Sequence, residues 1–118
     1  MHTKTYKDLI VWQKAMDLAE QTYLLTRNFP KEELYGLTSQ LRRAAVSVPS
    51  NIAEGQARQS TAEFRNFLSI AQGSLAEVET QILLAIRFQY LTPQQSAQAL
   101  SLREEVSKML SSLRSKLN

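Results

Sequence analysis

From Phe64 to Gln89 the apolar residues fall every three or four positions: Phe64, Leu68, Ala71, Leu75, Val78, Ile82 and Ala85, with Gln89 next in step. That spacing puts them on one side of a 3.6-residue turn. A helix spanning residues 60 to 90 is about 45 Å long at 1.5 Å per residue, and a rod with one apolar stripe needs partners of similar length to cover it. The start is marked by Ser60-Thr61-Ala62-Glu63, which reads as a capping box. A second apolar set, Phe67, Ile70, Leu84 and Phe88, lies outside the stripe. One bundle core does not need it, so it points to a contact between subunits.

Three further segments supply the partners. The first helix runs from about residue 8 to 28, with Leu9, Trp12, Ala15 or Met16, Ala19, Tyr23 and Thr26 expected on its buried side and Asp8 at its positive end. Asn28-Phe29-Pro30 ends it, because the residue before a proline is pushed out of the helical region. The second helix spans residues 31 to 57, beginning at Lys31-Glu32-Glu33, and the fourth spans 93 to 117. Thr92-Pro93-Gln94-Gln95 starts the fourth with a cap, a first-turn proline and a box-closing glutamine. Its stripe is Ala99, Leu102, Val106, Met109 and Leu113, continuing to Lys116 or Leu117 with Leu110 alongside. With only 3 Gly and 3 Pro in 118 residues, the expected fold is all-α in one domain: an antiparallel up-down-up-down four-helix bundle.

Within the second helix, Gln40 to Gly55 reads QLRRAAVSVPSNIAEG. Leu34, Leu37, Leu41, Ala45, Val48 and Ile52 form its core stripe, while Arg43, Ser47, Ser50 and Glu54 line up as a polar seam with Asn51 beside them. Pro49 lacks an N–H for the carbonyl of Ala45, which predicts a kink there. Gly55 reads as the helix end, and Gly73 as a place where another backbone comes close. The seam has two readings. It fixes register inside the bundle, through Ser74, Glu77 and Gln81, or Arg43, Asn51 and Glu54 pair with a neighbouring subunit.

Catalytic chemistry finds no support. The chain has no cysteine and one histidine, His2, so no nucleophile has an activating base. A di-iron bundle needs a Glu-x-x-His pair on each of two helices, and no glutamate here has an imidazole in helical reach. GxGxxG and GxxxxGK[ST] are both absent, which removes the phosphate-cradling loops. The expectation is a non-enzyme without metal, cofactor or small-molecule substrate. No stretch approaches the length of a spanning helix, and the opening MHTKTYKD has no signal-peptide core, so a cytoplasmic protein without membrane contact is expected.

The charge balance of 14 basic against 11 acidic residues leaves +3, which permits contact with RNA, DNA or an acidic protein. Lys14, Arg42, Arg58, Arg65 and Arg87 are the candidates for nucleic-acid contact. They are scattered along the chain, with no arginine-rich helix and no aromatic RNA-binding motif, so sequence-specific readout is not expected. A symmetric oligomer multiplies such a surface, since phosphate contacts add with each neutralised charge.

The opening at Leu9 to Trp12, the FP at Phe29-Pro30 with acids to Glu33, YGLxxQLRRAAxSVPxNIAEG from Tyr35 to Gly55 and SxxEFxxFLxIAxGSxxEVET from Ser60 to Thr80 together resemble the 23S rRNA intervening-sequence protein family. The resemblance covers about Leu9 to Leu91, and the fourth helix matches only as a generic amphipathic helix. It implies a bacterial four-helix bundle assembled as a ring-like homopentamer, with no enzymatic activity assigned. The family name records a gene location within some 23S rRNA genes. More distantly, the chain resembles the accessory variability determinant of diversity-generating retroelements, a basic pentameric bundle that binds reverse transcriptase and RNA. The resemblances imply an oligomeric scaffold that contacts nucleic acid or a nucleic-acid-processing enzyme such as a reverse transcriptase. The rival expectation is a purely structural or protein-binding pentamer.

Overall fold

Four amphipathic segments fold into four helices: α1 Ile10–Thr26, α2 Leu37–Ala57, α3 Thr61–Arg87 and α4 Pro93–Ser115. The computed structural model describes residues 5–117; the lead at 1–4, with His2, lies outside them. Two short 3-10 turns, Tyr6–Asp8 and Lys31–Glu33, precede α1 and α2, and no strand occurs among the described residues. α1 packs on α2 and α4, and α3 packs on the same two. Their shared core is apolar, with Leu18, Leu41, Ile52, Leu68, Leu75, Ile82 and Leu110 fully buried.

Local chemistry moved several boundaries. Asp8 does not start α1. Its carboxylate accepts from the N–H of Thr5 at 3.2 Å and closes a capping box around the first 3-10 turn. The segment from Lys31 is likewise a 3-10 turn, and α2 begins only at Leu37, whose N–H donates to Glu33 Oε1 at 3.1 Å, so Leu34 lies outside the helix, half exposed, and does not join the core stripe. At α3 half of the expected box forms: Ser60 Oγ accepts from Glu63 N at 3.0 Å, while the Glu63 carboxylate turns toward Arg58. Thr92 and Gln95 make the full box, with Pro93 in the first turn. α3 stops at Arg87 because Gln89 adopts φ 66°. Tyr90 N then donates to Ala85 O at 2.8 Å, the bond of a Schellman stop. Gln89 is therefore an exposed cap and not a member of the stripe.

The buried side of α1 is also rotated from expectation. Val11, Ala15, Leu18, Thr22 and Thr26 face the core, while Met16 and Tyr23 are exposed. The two threonines tolerate burial because each hydroxyl donates to the carbonyl four residues back, at 2.8 and 3.0 Å. On α4 the core line is Ala99, Arg103, Val106 and Leu110, with Leu102, Met109 and Leu113 half-buried and Lys116 exposed. Arg103 is held by Leu75 O at 3.2 Å and by Glu104 at 3.0 Å, with Glu79 at 3.7 Å.

Both glycine expectations in the helices require correction. Gly55 is buried inside α2 and does not end it. A Cβ there would stand 2.6 Å from Phe67 Cβ and 3.0 Å from Phe64 Cδ1, so the bare backbone lets α2 and α3 close on each other. Gly73 has the opposite setting, since nothing lies within 4 Å of its Cβ position. Among the described residues, no other helix approaches that position. Pro49 is buried, and α2 stays helical through it.

Candidate functional site

The polar seam of α2 divides into three parts. Ser47 Oγ and Ser74 Oγ lie 2.8 Å apart across α2 and α3, and Asn51 Nδ2 donates to the carbonyl and the hydroxyl of Ser47, each at 2.8 Å. These groups bond one another and an amide. None of them takes a proton at neutral pH, so the pair of hydroxyls is not an activated nucleophile. Glu54 leaves the seam to pair with Arg58 at 2.8 Å. Arg43 is exposed at the edge of a cleft of about 390 Å³ that it shares with Gln40, Glu77 and Gln81. Oε1 of Gln81 is buried without a hydrogen-bond partner among the described residues.

The second apolar set on α3 is exposed except for Phe67. Ile70, Leu84 and Phe88 are 44%, 37% and 51% exposed. Phe67 is half-buried, packed beside Gly55 with the Arg58 guanidinium 5.1 Å from its ring. Phe88 meets Tyr90 edge to face at 5.7 Å. A second apolar surface, unforeseen in the sequence, lies between α1 and α2. It is an open groove of about 540 Å³ lined by Tyr6, Trp12, Met16, Tyr23, Val46 and Pro49, with Asp17 and Glu20 also in its wall. The signal for it was the very set of large α1 residues expected to face inward.

The cationic candidates also separate. Lys14 pairs with Glu105 at 3.0 Å. Arg42 donates from Nε to Thr26 Oγ1 at 2.8 Å and stacks 4.5 Å over the Tyr23 ring. Arg58 is engaged by Glu54, Glu63 and Phe67. Arg65 and Arg87 form no ion pair among the described residues, and neither does Arg43. Arg65 shares a cleft of about 330 Å³ with Ser111, Arg114 and Ser115. Two guanidinium groups and two hydroxyls line that cleft, and no acid does. Arg114 Nε is buried there without a partner among the described residues.

No three His, Cys, Asp or Glu side chains converge as a metal site among the described residues. No described helix is long and apolar enough to cross a membrane. The described residues thus define an all-α four-helix protein with exposed apolar residues on α1 to α3 and a cationic cleft between α3 and α4. The profile of the 23S rRNA-intervening sequence protein family matches residues 7–112, and the chain belongs to that family. A crystal structure of a protein of unknown function from the S23 ribosomal protein family, from Bacteroides thetaiotaomicron VPI-5482, superposes with a TM-score of 0.80. It is 29% identical, over 89% of this chain and 98% of that one. Comparison with curated proteins finds no match.

Proposed function

We propose that the protein is a non-enzymatic, cytoplasmic oligomeric scaffold that contacts nucleic acid, or an enzyme acting on it such as a reverse transcriptase, through cationic surface. The observation that carries this reading is the cleft of Arg65, Ser111, Arg114 and Ser115, which offers two guanidinium groups and the Ser111 hydroxyl and no competing carboxylate, the Ser115 hydroxyl being donated to Ser112 O. That donor set suits the phosphate oxygens of a polynucleotide backbone. Arg43 and Arg87 add unpaired charge elsewhere. Lys14, Arg42 and Arg58 contribute less, because their donors are already engaged.

The same reading takes the helices as an up-down-up-down bundle and the assembly as a ring of five. Contacts that run in opposite order along neighbouring helices support the antiparallel course: Ser47 meets Ser74 while Gly55 meets Phe67 and Phe64, and Leu75 meets Arg103 while Gln72 meets Ser107 and Ser111. The exposed Ile70, Leu84 and Phe88 support assembly, since large apolar side chains left exposed on one helix suit a contact. A purely structural or protein-binding oligomer is the second reading, favoured by the internal pairing of three of the five cationic candidates.

Retention of single- and double-stranded RNA and DNA by the purified protein, titrated with salt, separates the two. The first reading expects binding at low salt that weakens in Arg65→Ala and Arg114→Ala. Absence of binding to every polynucleotide at low salt sinks it.

A further inference from the structure

We infer that the polar cleft between α2 and α3 binds a small zwitterion, a free α-amino acid with a small or polar side chain, and holds it without altering it. This goes beyond the scaffold reading and does not depend on it. Ser47 and Ser74 meet at 2.8 Å while Gly55 lies against Phe67 and Phe64, so a step back along α2 from Ser47 matches a step forward along α3 from Ser74. One turn from the serine pair, Arg43 on α2 comes level with Glu77 on α3, and about two turns from it Gln40 comes level with Gln81. All four line one cleft of about 390 Å³, with Ala44 and Ser47 in its wall. The short Ala44 side chain leaves space between the two polar walls.

The two walls are complementary and yet do not close on each other. Neither Arg43 nor Glu77 forms an ion pair among the described residues. Beyond them, Gln81 Oε1 is buried with no hydrogen-bond partner among the described residues, and leaving a buried acceptor unpaired is costly. The α2 wall therefore offers a guanidinium, and the α3 wall offers a carboxylate and an unused acceptor. A ligand that satisfies both carries an anionic acceptor and a cationic donor side by side. Its carboxylate accepts from Arg43, with the Gln40 amide beside it, in the paired geometry a guanidinium favours. Its ammonium has three N–H donors, which reach Glu77 and, with a turn of the amide, Gln81 Oε1. A plain anion would face Glu77 and a plain cation would face Arg43, so the like charge on the far wall rejects each of them. The cleft is small for a ligand site and has one alanine as its apolar wall, which restricts the side chain to a small or polar one. The Ser47 hydroxyl is engaged by Ser74 and Asn51, so no group there is poised to attack the ligand.

Calorimetric titration of the whole chain with glycine, L-alanine, L-serine and L-glutamine tests this, with propionate and ethylamine as forms of alanine that each lack one charge. At least one of the amino acids is expected to bind at one site per chain, and both one-charge forms to fail. Arg43→Gln and Glu77→Gln, each at an exposed position, are expected to weaken that binding about tenfold or more, the loss of one charge-assisted hydrogen bond. Helical circular dichroism shows that each variant folds. In wild type the side-chain amide resonances of Gln81 are expected to shift as the amino acid is added, a readout that needs no variant. Neither heat nor a resonance shift from any of the four at millimolar concentration overturns the inference. Binding that both variants leave unchanged overturns it as well, by placing the ligand elsewhere. Propionate or ethylamine binding as well as alanine would show that only one wall is used, and would overturn the zwitterion.

Discussion

Tyr90 donates its hydroxyl to Glu33 Oε2 at 2.8 Å, joining the turn after α3 to the turn before α2. The other oxygen of the same carboxylate accepts from Leu37 N. One acid therefore starts a helix and ties two chain reversals together. The Leu37 N–H, and after it the Tyr90 hydroxyl, hold Glu33 below its ordinary carboxylate pKa, and the hydrogen bond to Glu33 leads the causes that raise Tyr90.

A depressed carboxylate adds stability that is complete above its unfolded pKa and is lost as pH falls through the folded one. Wild type should therefore lose stability below about pH 4, in the ordinary glutamate range, and Glu33→Gln should flatten that slope. The raised phenol contributes below its unfolded value and loses that contribution as pH rises past it, an alkaline slope that Tyr90→Phe should remove. Urea denaturation across pH measures both.

The two helix glycines should respond with opposite signs. Gly55→Ala forces a methyl against Phe67 and Phe64, and overpacking of this kind costs roughly 1–3 kcal/mol. Gly73→Ala meets no atom of its own chain and should gain up to about 1 kcal/mol in helix propensity. Urea denaturation of each variant beside wild type, at one protein concentration, measures both effects.

Gln89→Gly should stabilise the chain by up to about 1 kcal/mol, since glycine occupies positive φ without the Cβ penalty. Calorimetry of the variant beside wild type measures the gain. A loss of stability would show that the Gln89 side chain contributes more than its backbone costs.

Arg103→Met should be milder than Arg103→Ala. The buried stem fills core space between Ala99 and Val106, which methionine replaces and alanine does not. Removing the arginine frees Glu79 and Glu104, both about half exposed, to water. The difference between the two variants in denaturation midpoint isolates the packing.

In polynucleotide binding, Arg65→Ala should reduce the salt dependence by about one phosphate contact. Lys14→Ala should change it little, because its ammonium already faces Glu105. Titrations at several salt concentrations yield the slopes.

The helices were legible because their starts are chemical. Ser60 and Thr92 can cap only a helix on their C-terminal side, and Pro93 fits only a first turn. Faces were harder to read. Apolar size suggested that Met16 and Tyr23 point inward, yet Thr22 and Thr26 take the core because a helix carbonyl satisfies each hydroxyl. Arg103 escaped notice for a related reason: the spacing Ala99, Arg103, Val106, Leu110 marks it as buried, and its charge hides it. Of the candidate surfaces, Ile70 and Phe88 could be read as surplus to one core. The acid-walled groove could not, since it depends on how α1 is rotated against α2. Nor could the cleft of Arg65 and Arg114, whose members meet only after α4 folds back on α3.

The body measures 49 × 25 × 21 Å, with a radius of gyration of 14.9 Å, against about 13.5 Å for a compact chain of this length. Such an elongated particle experiences more friction than a sphere of equal mass. A single copy will elute from a sizing column ahead of its true mass, and copies joined along their flanks will be rounder and elute later for their mass than the single copy suggests. Column position alone would therefore compress the difference between one copy and several, and subunit number should be taken from scattering or sedimentation equilibrium, which weigh the particle regardless of its shape.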